Sequence, residues 1–94
     1  MIQHIVMWKF REGTEAQAEE FLTRLAALDG QIECIRSMAV RRSAVPDSAY
    51  DAVLVSEFDT LEDVARYKND PRHVAVSSLC KEIRTDRRAI DVTI

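Results

Sequence analysis

The sequence has few of the features that mark disordered, metal-binding or membrane-spanning chains. Its 94 residues include only 2 Gly and 2 Pro, which leaves little room for low-complexity or disordered segments. The two cysteines, Cys34 and Cys80, have no partner Cys or His at metal-site spacing, which favours free core thiols. No apolar run approaches the roughly 18 to 20 residues of a membrane span. We therefore expect one ordered domain over residues 1–94.

An excess of positive charge is also absent. With 13 Lys and Arg against 16 Asp and Glu, the net charge is -3, so neither a nucleic-acid nor a membrane surface is expected. The clusters Arg41-Arg42 and Arg84, Arg87 and Arg88 have acids nearby and no interleaved aromatic residues. We interpret both as solvated surface rather than as anion-binding sites. The start of the sequence shows no signal-peptide pattern, which predicts a cytoplasmic protein.

Alternation of side chains predicts four β-strands, over 2–10 and about 32–43, 49–58 and 88–94. In the first, one face carries Ile2, His4, Val6, Trp8 and Phe10, and the other carries Gln3, Ile5, Met7 and Lys9. The segment 44–48, which contains Pro and Asp, reads as the loop between the second and third strands.

Apolar residues at three- and four-residue spacing predict two helical regions. The first covers about 14–28, with Thr14 and Gln17 forming a capping box and the Asp-Gly pair at 29–30 ending the helix. The second begins at the N-cap Thr60. At Asp70 and Pro71 it restarts as a helix that runs to about residue 84.

The order of these elements predicts an α+β fold of ferredoxin-like βαββαβ type. In that fold a four-stranded antiparallel sheet carries both helices on one face. Both strand faces are apolar, with Val6, Met7, Trp8, Val53, Leu54, Val55 and Phe58 divided between them. A face without helices would expose a large apolar patch. We therefore predict a homodimer in which two sheet faces pack about a two-fold axis.

Both histidines are expected to point into the protein. His73 shares a helical stripe with Val76, Cys80 and Ile83, and His4 shares a strand face with Val6. Each is either a hydrogen-bonded structural residue or, for His73 above all, a general acid or base, because imidazole titrates near physiological pH.

Tyr67 precedes His73 across the predicted helix break, so its hydroxyl could approach the same cavity. The alternative is a core ring with a hydroxyl in contact with water. The strand acids Asp51, Glu57 and Asp91 show no metal spacing, and we expect them to be solvated or paired with Arg36, Arg87 or Arg88. Nucleophile-elbow, phosphate-loop, dinucleotide and zinc motifs are absent, so no cofactor is expected.

Four segments together resemble the stress-responsive A/B barrel family, called Dabb. They are HIVMWKF at 4–10, YDAVLVSEF at 50–58, RYKNDPRHV at 66–74 and RAIDVTI at 88–94. The most specific part is the Tyr-x-x-x-Pro-x-His-Val pattern of Tyr67, Pro71, His73 and Val74. The resemblance implies a dimeric α+β barrel in which each subunit keeps a cavity between its sheet and its helices.

The resemblance also implies candidate chemistry. Some relatives are plant polyketide cyclases, in which a histidine and a tyrosine at the positions of His73 and Tyr67 promote an aldol closure. A further cyclase histidine falls at about Ala52, where this chain has none. The wider superfamily includes cofactor-free monooxygenases, and no residue here selects that reaction.

Two hypotheses follow from the sequence. The first is a homodimer that binds a small apolar or aromatic molecule, with acid-base chemistry by His73 assisted by Tyr67 and His4. The second is a non-enzymatic, stress-associated structural or ligand-binding dimer whose cavity is packed. A pocket beside His73 would favour the first hypothesis.

Overall fold

The helices and strands follow the predicted order. A computed structural model describes residues 1–94, and its elements are β1 (Ile2–Phe10), α1 (Glu15–Ala26), β2 (Ser37–Arg42), β3 (Ala52–Phe58), α2 (Leu61–Asn69), α3 (Pro71–Ile83) and β4 (Arg84–Thr93). The strands form one antiparallel sheet in the order β2-β3-β1-β4. The predicted ferredoxin-like fold is confirmed.

The inward face of the sheet, which packs against the helices, holds the core. Alternate β1 residues from His4 to Phe10 are buried there, as are Leu54 and Phe58 of β3. The helices contribute buried apolar residues to the same core, including Phe21, Leu22 and Leu25 from α1 and Val76, Cys80 and Ile83 from α3. Full burial of one large apolar side chain contributes about 1.5–3 kcal/mol, so this layer dominates the stability of the chain.

The outward face of the sheet carries no helix. Its side chains come from the other residues of each alternation, and the apolar ones are Ile5, Met7, Val53, Val55, Ile90 and Val92. Ile90 is 57% exposed and Met7 is 36% exposed. The apolar second face that the sequence predicts is therefore present.

Helices α2 and α3 both begin at the predicted N-cap residues, Thr60 and Asp70. The Thr60 hydroxyl accepts a hydrogen bond from the Asp63 amide at 3.1 Å, and the Asp70 carboxylate accepts one from the Arg72 amide at 2.9 Å. Pro71 occupies the first position of α3, where no amide donor is needed. These contacts place Tyr67 at the end of one helix and His73 in the first turn of the next.

The two edge strands, β2 and β4, begin at residues other than those predicted. β2 begins at Ser37 rather than near residue 32, because Ile32 and Ile35 are buried as anchors of a turn segment instead of strand residues. β4 begins at Arg84, directly after α3, and pairs with the end of β1 across an irregularity at Lys9 and Phe10.

The first helix is also capped differently from the prediction. The hydroxyl of Thr14 does not accept an amide hydrogen bond of α1 and instead donates to the Arg11 carbonyl at 2.6 Å. Helix α1 ends at Ala26, a little before the predicted end. Gly30 has φ +93°, the left-handed conformation expected where the chain turns away from this helix.

Candidate functional site

A buried histidine and an aspartate face each other on neighbouring strands. His4 of β1 and Asp91 of β4 are directly paired in the sheet register. The His4 Nδ1 lies 2.6 Å from the Asp91 carboxylate, and only 2% of His4 is exposed. Because carboxylates accept hydrogen bonds, Nδ1 carries the proton and donates it. In the neutral ring this leaves Nε2 as an acceptor.

This pair has the arrangement of a general base with an orienting carboxylate. Burial lowers the pKa of His4, and the hydrogen bond and charge of Asp91 only partly offset that effect. The ring is therefore held neutral near physiological pH, with Nε2 ready to take a proton. Asp91 fixes the tautomer and would stabilise the imidazolium that proton transfer creates.

Tyr67 contributes a hydroxyl that has no partner within the chain. Its side chain is 1% exposed, and its hydroxyl oxygen is the only buried side-chain polar atom in the molecule without a hydrogen bond. Burial raises the pKa of Tyr67, so the group stays protonated and acts as a donor. The alternative of a hydroxyl in contact with bulk water is wrong, because the hydroxyl is enclosed.

His73 lies on the other side of Tyr67. The two ring centroids are 4.4 Å apart, while those of Tyr67 and His4 are 6.2 Å apart. The His73 Nδ1 donates to the Lys68 carbonyl at 3.0 Å, which makes Nε2 the acceptor of the neutral ring. Burial lowers the pKa of His73, and the Lys68 carbonyl partly offsets this effect. The structure thus places all three predicted residues together.

These three side chains line one cavity between the sheet and the helices, which we name the histidine cavity. Its walls include Val6, Trp8, Phe21 and Leu54, and Lys68, Arg84 and Arg87 also line it. Its volume is about 40 Å³, enough for bound water or a small ligand group. The lining is a mixture of polar and apolar groups.

Two of the three strand acids, Asp51 and Asp91, are paired with groups other than the expected arginines. Asp91 pairs with His4 rather than with an arginine, and Arg36 pairs with Asp59. Asp51 binds Lys9 at 3.2 Å and the Phe10 amide at 2.8 Å. The role of Asp91 was missed, although His4 and Asp91 both occur in terminal strands that this fold makes neighbours. The register of β1 and β4, which makes His4 and Asp91 partners, is the signal that could have identified the pair.

A second, larger recess lies near the end of β1 and the start of α1. This recess has a volume of about 420 Å³ and is open to solvent. Its charges include both signs, among them the ion pair of Lys9 and Asp51. Neither histidine lines it, so the histidine cavity is the stronger candidate for chemistry.

We also searched the molecule for a metal site and for a helix that could span a membrane. No group of three or more His, Cys, Asp or Glu side chains is placed to hold a metal ion. None of the helices combines the length and the apolar character that crossing a membrane requires.

The fold and its relatives define a class of ferredoxin-like α+β proteins. The chain belongs to the stress responsive A/B barrel domain family, Dabb, whose profile matches residues 2–94. The family predicted from the sequence is confirmed. No curated protein sequence matches the chain.

Solved structures show the same fold. A dimeric ferredoxin-like protein of unknown function from Bacteroides fragilis NCTC 9343 is 28% identical, with a TM-score of 0.86 over 99% of this chain and 95% of that one. A Dabb family protein from Mesorhizobium loti MAFF303099 is 21% identical, with a TM-score of 0.82 over 99% and 95%. Hydroxynitrile lyase from Passiflora edulis is 13% identical, with a TM-score of 0.86 over 99% and 92%.

Proposed function

We propose that this protein is a homodimer whose subunits each bind a small molecule in the histidine cavity and move a proton on it. The observation that carries the proposal is the enclosed Tyr67 hydroxyl without a partner, next to a histidine oriented by a carboxylate. A buried donor left unpaired costs about 1–3 kcal/mol. An unpaired buried group calls for an explanation, and a ligand that accepts a hydrogen bond from this hydroxyl would provide one.

The proton transfer uses groups from both sides of the cavity. Nε2 of His4 takes a proton from the bound molecule, and Asp91 stabilises the imidazolium. The Tyr67 hydroxyl donates a hydrogen bond to an oxygen on which negative charge develops. The His4 imidazolium then returns the proton to another atom of the bound molecule, and His73, whose ring centroid lies 4.4 Å from that of Tyr67, supports the Tyr67 ring. No step needs a redox group, since only protons move.

This assignment differs from the hypothesis drawn from the sequence, in which His73 was the preferred acid or base. His4 is more deeply buried than His73, and its proton-bearing nitrogen is bonded to a carboxylate rather than to a backbone carbonyl. A carboxylate stabilises an imidazolium more strongly than a neutral carbonyl does. His4 is therefore the proposed base, with His73 and Tyr67 in supporting roles.

The dimer is proposed through the outward face. A row of partly exposed apolar side chains runs across β1, β3 and β4 there. The Bacteroides fragilis protein, the first of the similar structures above, is itself described as dimeric. Two copies of this face, packed about a two-fold axis, would remove both from water.

The neighbours support proton chemistry in this fold only by analogy. One of them is a hydroxynitrile lyase; at 13% identity it shows the fold alone. A cytoplasmic location is proposed, since the two free cysteines are compatible with a reducing compartment.

A second candidate function is a non-enzymatic structural or ligand-binding dimer. The observation that favours it is the small volume of the histidine cavity, about 40 Å³. A large apolar substrate does not fit that space without movement of the walls. On this alternative the dimer would be the functional product, and His4 and Tyr67 would serve only the fold.

Proton exchange on a small ketone tests the proposal. The exchange of α-protons of butanone for deuterium would be followed by NMR with the wild type, His4→Gln and Tyr67→Phe. We expect wild-type catalysis that falls about a hundredfold in His4→Gln, the range typical of a lost general base. Tyr50→Phe is the matched control, because Tyr50 bonds to Asp86 away from the cavity. Equal rates for the wild type and His4→Gln would reject the role of the base.

A further inference from the structure

The charged groups of the histidine cavity all have one sign. Lys68, Arg84 and Arg87 line it, and no Asp or Glu does. This is unexpected in a chain whose net charge is -3. Asp91, which lies beside the cavity, is bonded to His4.

None of the three cations has an ion-pair partner in the chain. The ion pairs of the molecule engage Lys9, Arg24, Arg36, Arg66, Arg72 and Arg88, in addition to His4. The sequence led us to expect that Arg84 and Arg87 are solvated among nearby acids. Arg87 is exposed, in line with that expectation, but only the neighbouring Arg88 has an acid partner, Asp86 at 3.7 Å.

The sheet register explains why Arg87 reaches the cavity. Arg87 is paired with Trp8 of β1, so its side chain leaves the sheet on the inward face, on the same side as His4 and Asp91. Beyond the effect of burial, the charge of Arg87 acts to lower the pKa of His4, His73 and Tyr67. One guanidinium thus lies close enough to influence His4, His73 and Tyr67.

The apolar walls and the enclosed hydroxyl restrict the kind of anion. Val6, Trp8, Phe21 and Leu54 line the interior, which suits a hydrocarbon group and not an inorganic ion. The unpaired Tyr67 hydroxyl calls for an acceptor in the same space. Lys68 and Arg87 are exposed at the surface, so they can hold a charged group that remains in contact with water.

We propose that the ligand of the histidine cavity is a small organic acid, bound with its carboxylate against Arg87, Arg84 and Lys68 and its apolar body against the cavity walls. The inference rests on the proposed function and names the substrate class of that site. Planar guanidinium groups bind carboxylates through paired charge-assisted hydrogen bonds. The acid would be oriented so that its body, rather than its charge, faces His4 and Tyr67.

Butyrate and butyramide provide a test, since they have similar size and shape and differ in charge. Binding to the full-length protein would be measured by NMR, from the shifts of the imidazole signals of His4 and His73. We expect butyrate to bind at least about tenfold more tightly than butyramide, and Arg87→Gln to weaken butyrate alone by about tenfold. Lys68→Gln, at an exposed helix position, should also weaken the binding of butyrate.

Arg24→Gln is the matched control, because it removes the same charge from an exposed position on α1. It should leave both affinities unchanged. If both probes bind equally and Arg87→Gln and Lys68→Gln change neither, the preference for an anion is wrong while the binding site stands. If neither probe shifts the histidine signals at any concentration, the proposed binding function is contradicted together with the preference.

Discussion

The two faces of the sheet depart from ordinary burial in opposite ways. On the inward face, polar groups are buried: His4 is 2% exposed and the Tyr67 hydroxyl has no partner. On the outward face, apolar groups meet water: Ile90 is 57% exposed. Buried polar groups and exposed apolar patches are the informative exceptions to ordinary burial. The first exception supports the proposed ligand site, and the second supports the proposed interface with a partner subunit.

The two faces also differ in what they require of individual residues. The partner subunit proposed for the outward face requires an apolar surface and no special geometry of any single residue. The inward face needs specific atoms in specific places, held by the register of β1 and β4 and by the break between α2 and α3. We therefore expect changes on the outward face to alter assembly, and changes on the inward face to alter chemistry.

The largest expected effect follows from a charge placed on the outward face. Ile90→Glu should weaken the dimer by about a hundredfold, because the two-fold axis places the substitution in the interface twice and each copy loses about 1.5 kcal/mol or more. Sedimentation velocity at micromolar concentration would show a monomer. Val74→Glu, which changes an apolar residue 50% exposed on α3, is the control and should remain dimeric. A dimer that persists in Ile90→Glu would locate the interface elsewhere.

The next effect concerns the cost of the unpaired hydroxyl. Tyr67→Phe should raise the free energy of unfolding by about 1–2 kcal/mol, because it removes a buried polar atom that has no partner. The same substitution should reduce proton exchange, so stability and function change in opposite directions. Urea unfolding measures the first part.

Tyr50→Phe is the paired comparison for that experiment. The Tyr50 hydroxyl lies 3.0 Å from the Asp86 carboxylate, so its removal should leave stability unchanged or lower it. If Tyr67→Phe were destabilising to the same extent as Tyr50→Phe, the Tyr67 hydroxyl would have a partner in solution, and its cost would not be evidence of a ligand site.

A smaller effect should appear in the dependence of stability on pH. Burial lowers the pKa of both histidines below 6.5 in the folded protein, so between the folded and unfolded pKa values the unfolded chain binds more protons. The free energy of unfolding should therefore be greatest above 6.5 and should decrease as the pH falls below it. Urea unfolding at several pH values above about 5 isolates this range from carboxylate titration. His73→Gln should show a shallower dependence; a stability that rises on acidification would contradict the assignment.

The smallest effect is confined to one ring. Asp91→Asn should lower the pKa of His4 further, because it removes the carboxylate whose hydrogen bond and charge oppose the effect of burial. An NMR titration of the imidazole signals would measure the change. Asp86→Asn, on the same strand, is the control and should not change the His4 titration. An unchanged His4 pKa in Asp91→Asn would mean that the pair is not formed in solution.

Much of the fold could be predicted from local patterns. Alternation identified all four strands, and the Asp70-Pro71 pair identified the restart of the helix, because both depend on neighbouring residues. The start of β2 could not be found in this way. Ile32 and Ile35 look like strand residues in the sequence, yet they anchor a turn segment whose burial is set by tertiary packing.

The site was predictable in part. His4 and His73 were identified from their periodicity and Tyr67 from its position before His73 across the helix break, and the structure brings the three together around one cavity. Asp91 and Arg87 were not assigned to the site, because their position relative to β1 depends on the register of strands at opposite ends of the chain. Periodicity shows which face a residue occupies, and only the register shows which residue it meets.

The tautomer of His4 tests the central claim most directly. A long-range correlation of the imidazole protons and nitrogens by NMR, with His73→Gln used to assign the signals, distinguishes the two neutral forms. The account predicts that at neutral pH His4 is uncharged, with its proton on Nδ1 toward Asp91 and Nε2 free to accept. A proton on Nε2, or a ring that is charged at neutral pH, would leave His4 without an acceptor toward the cavity and would contradict the proposed base.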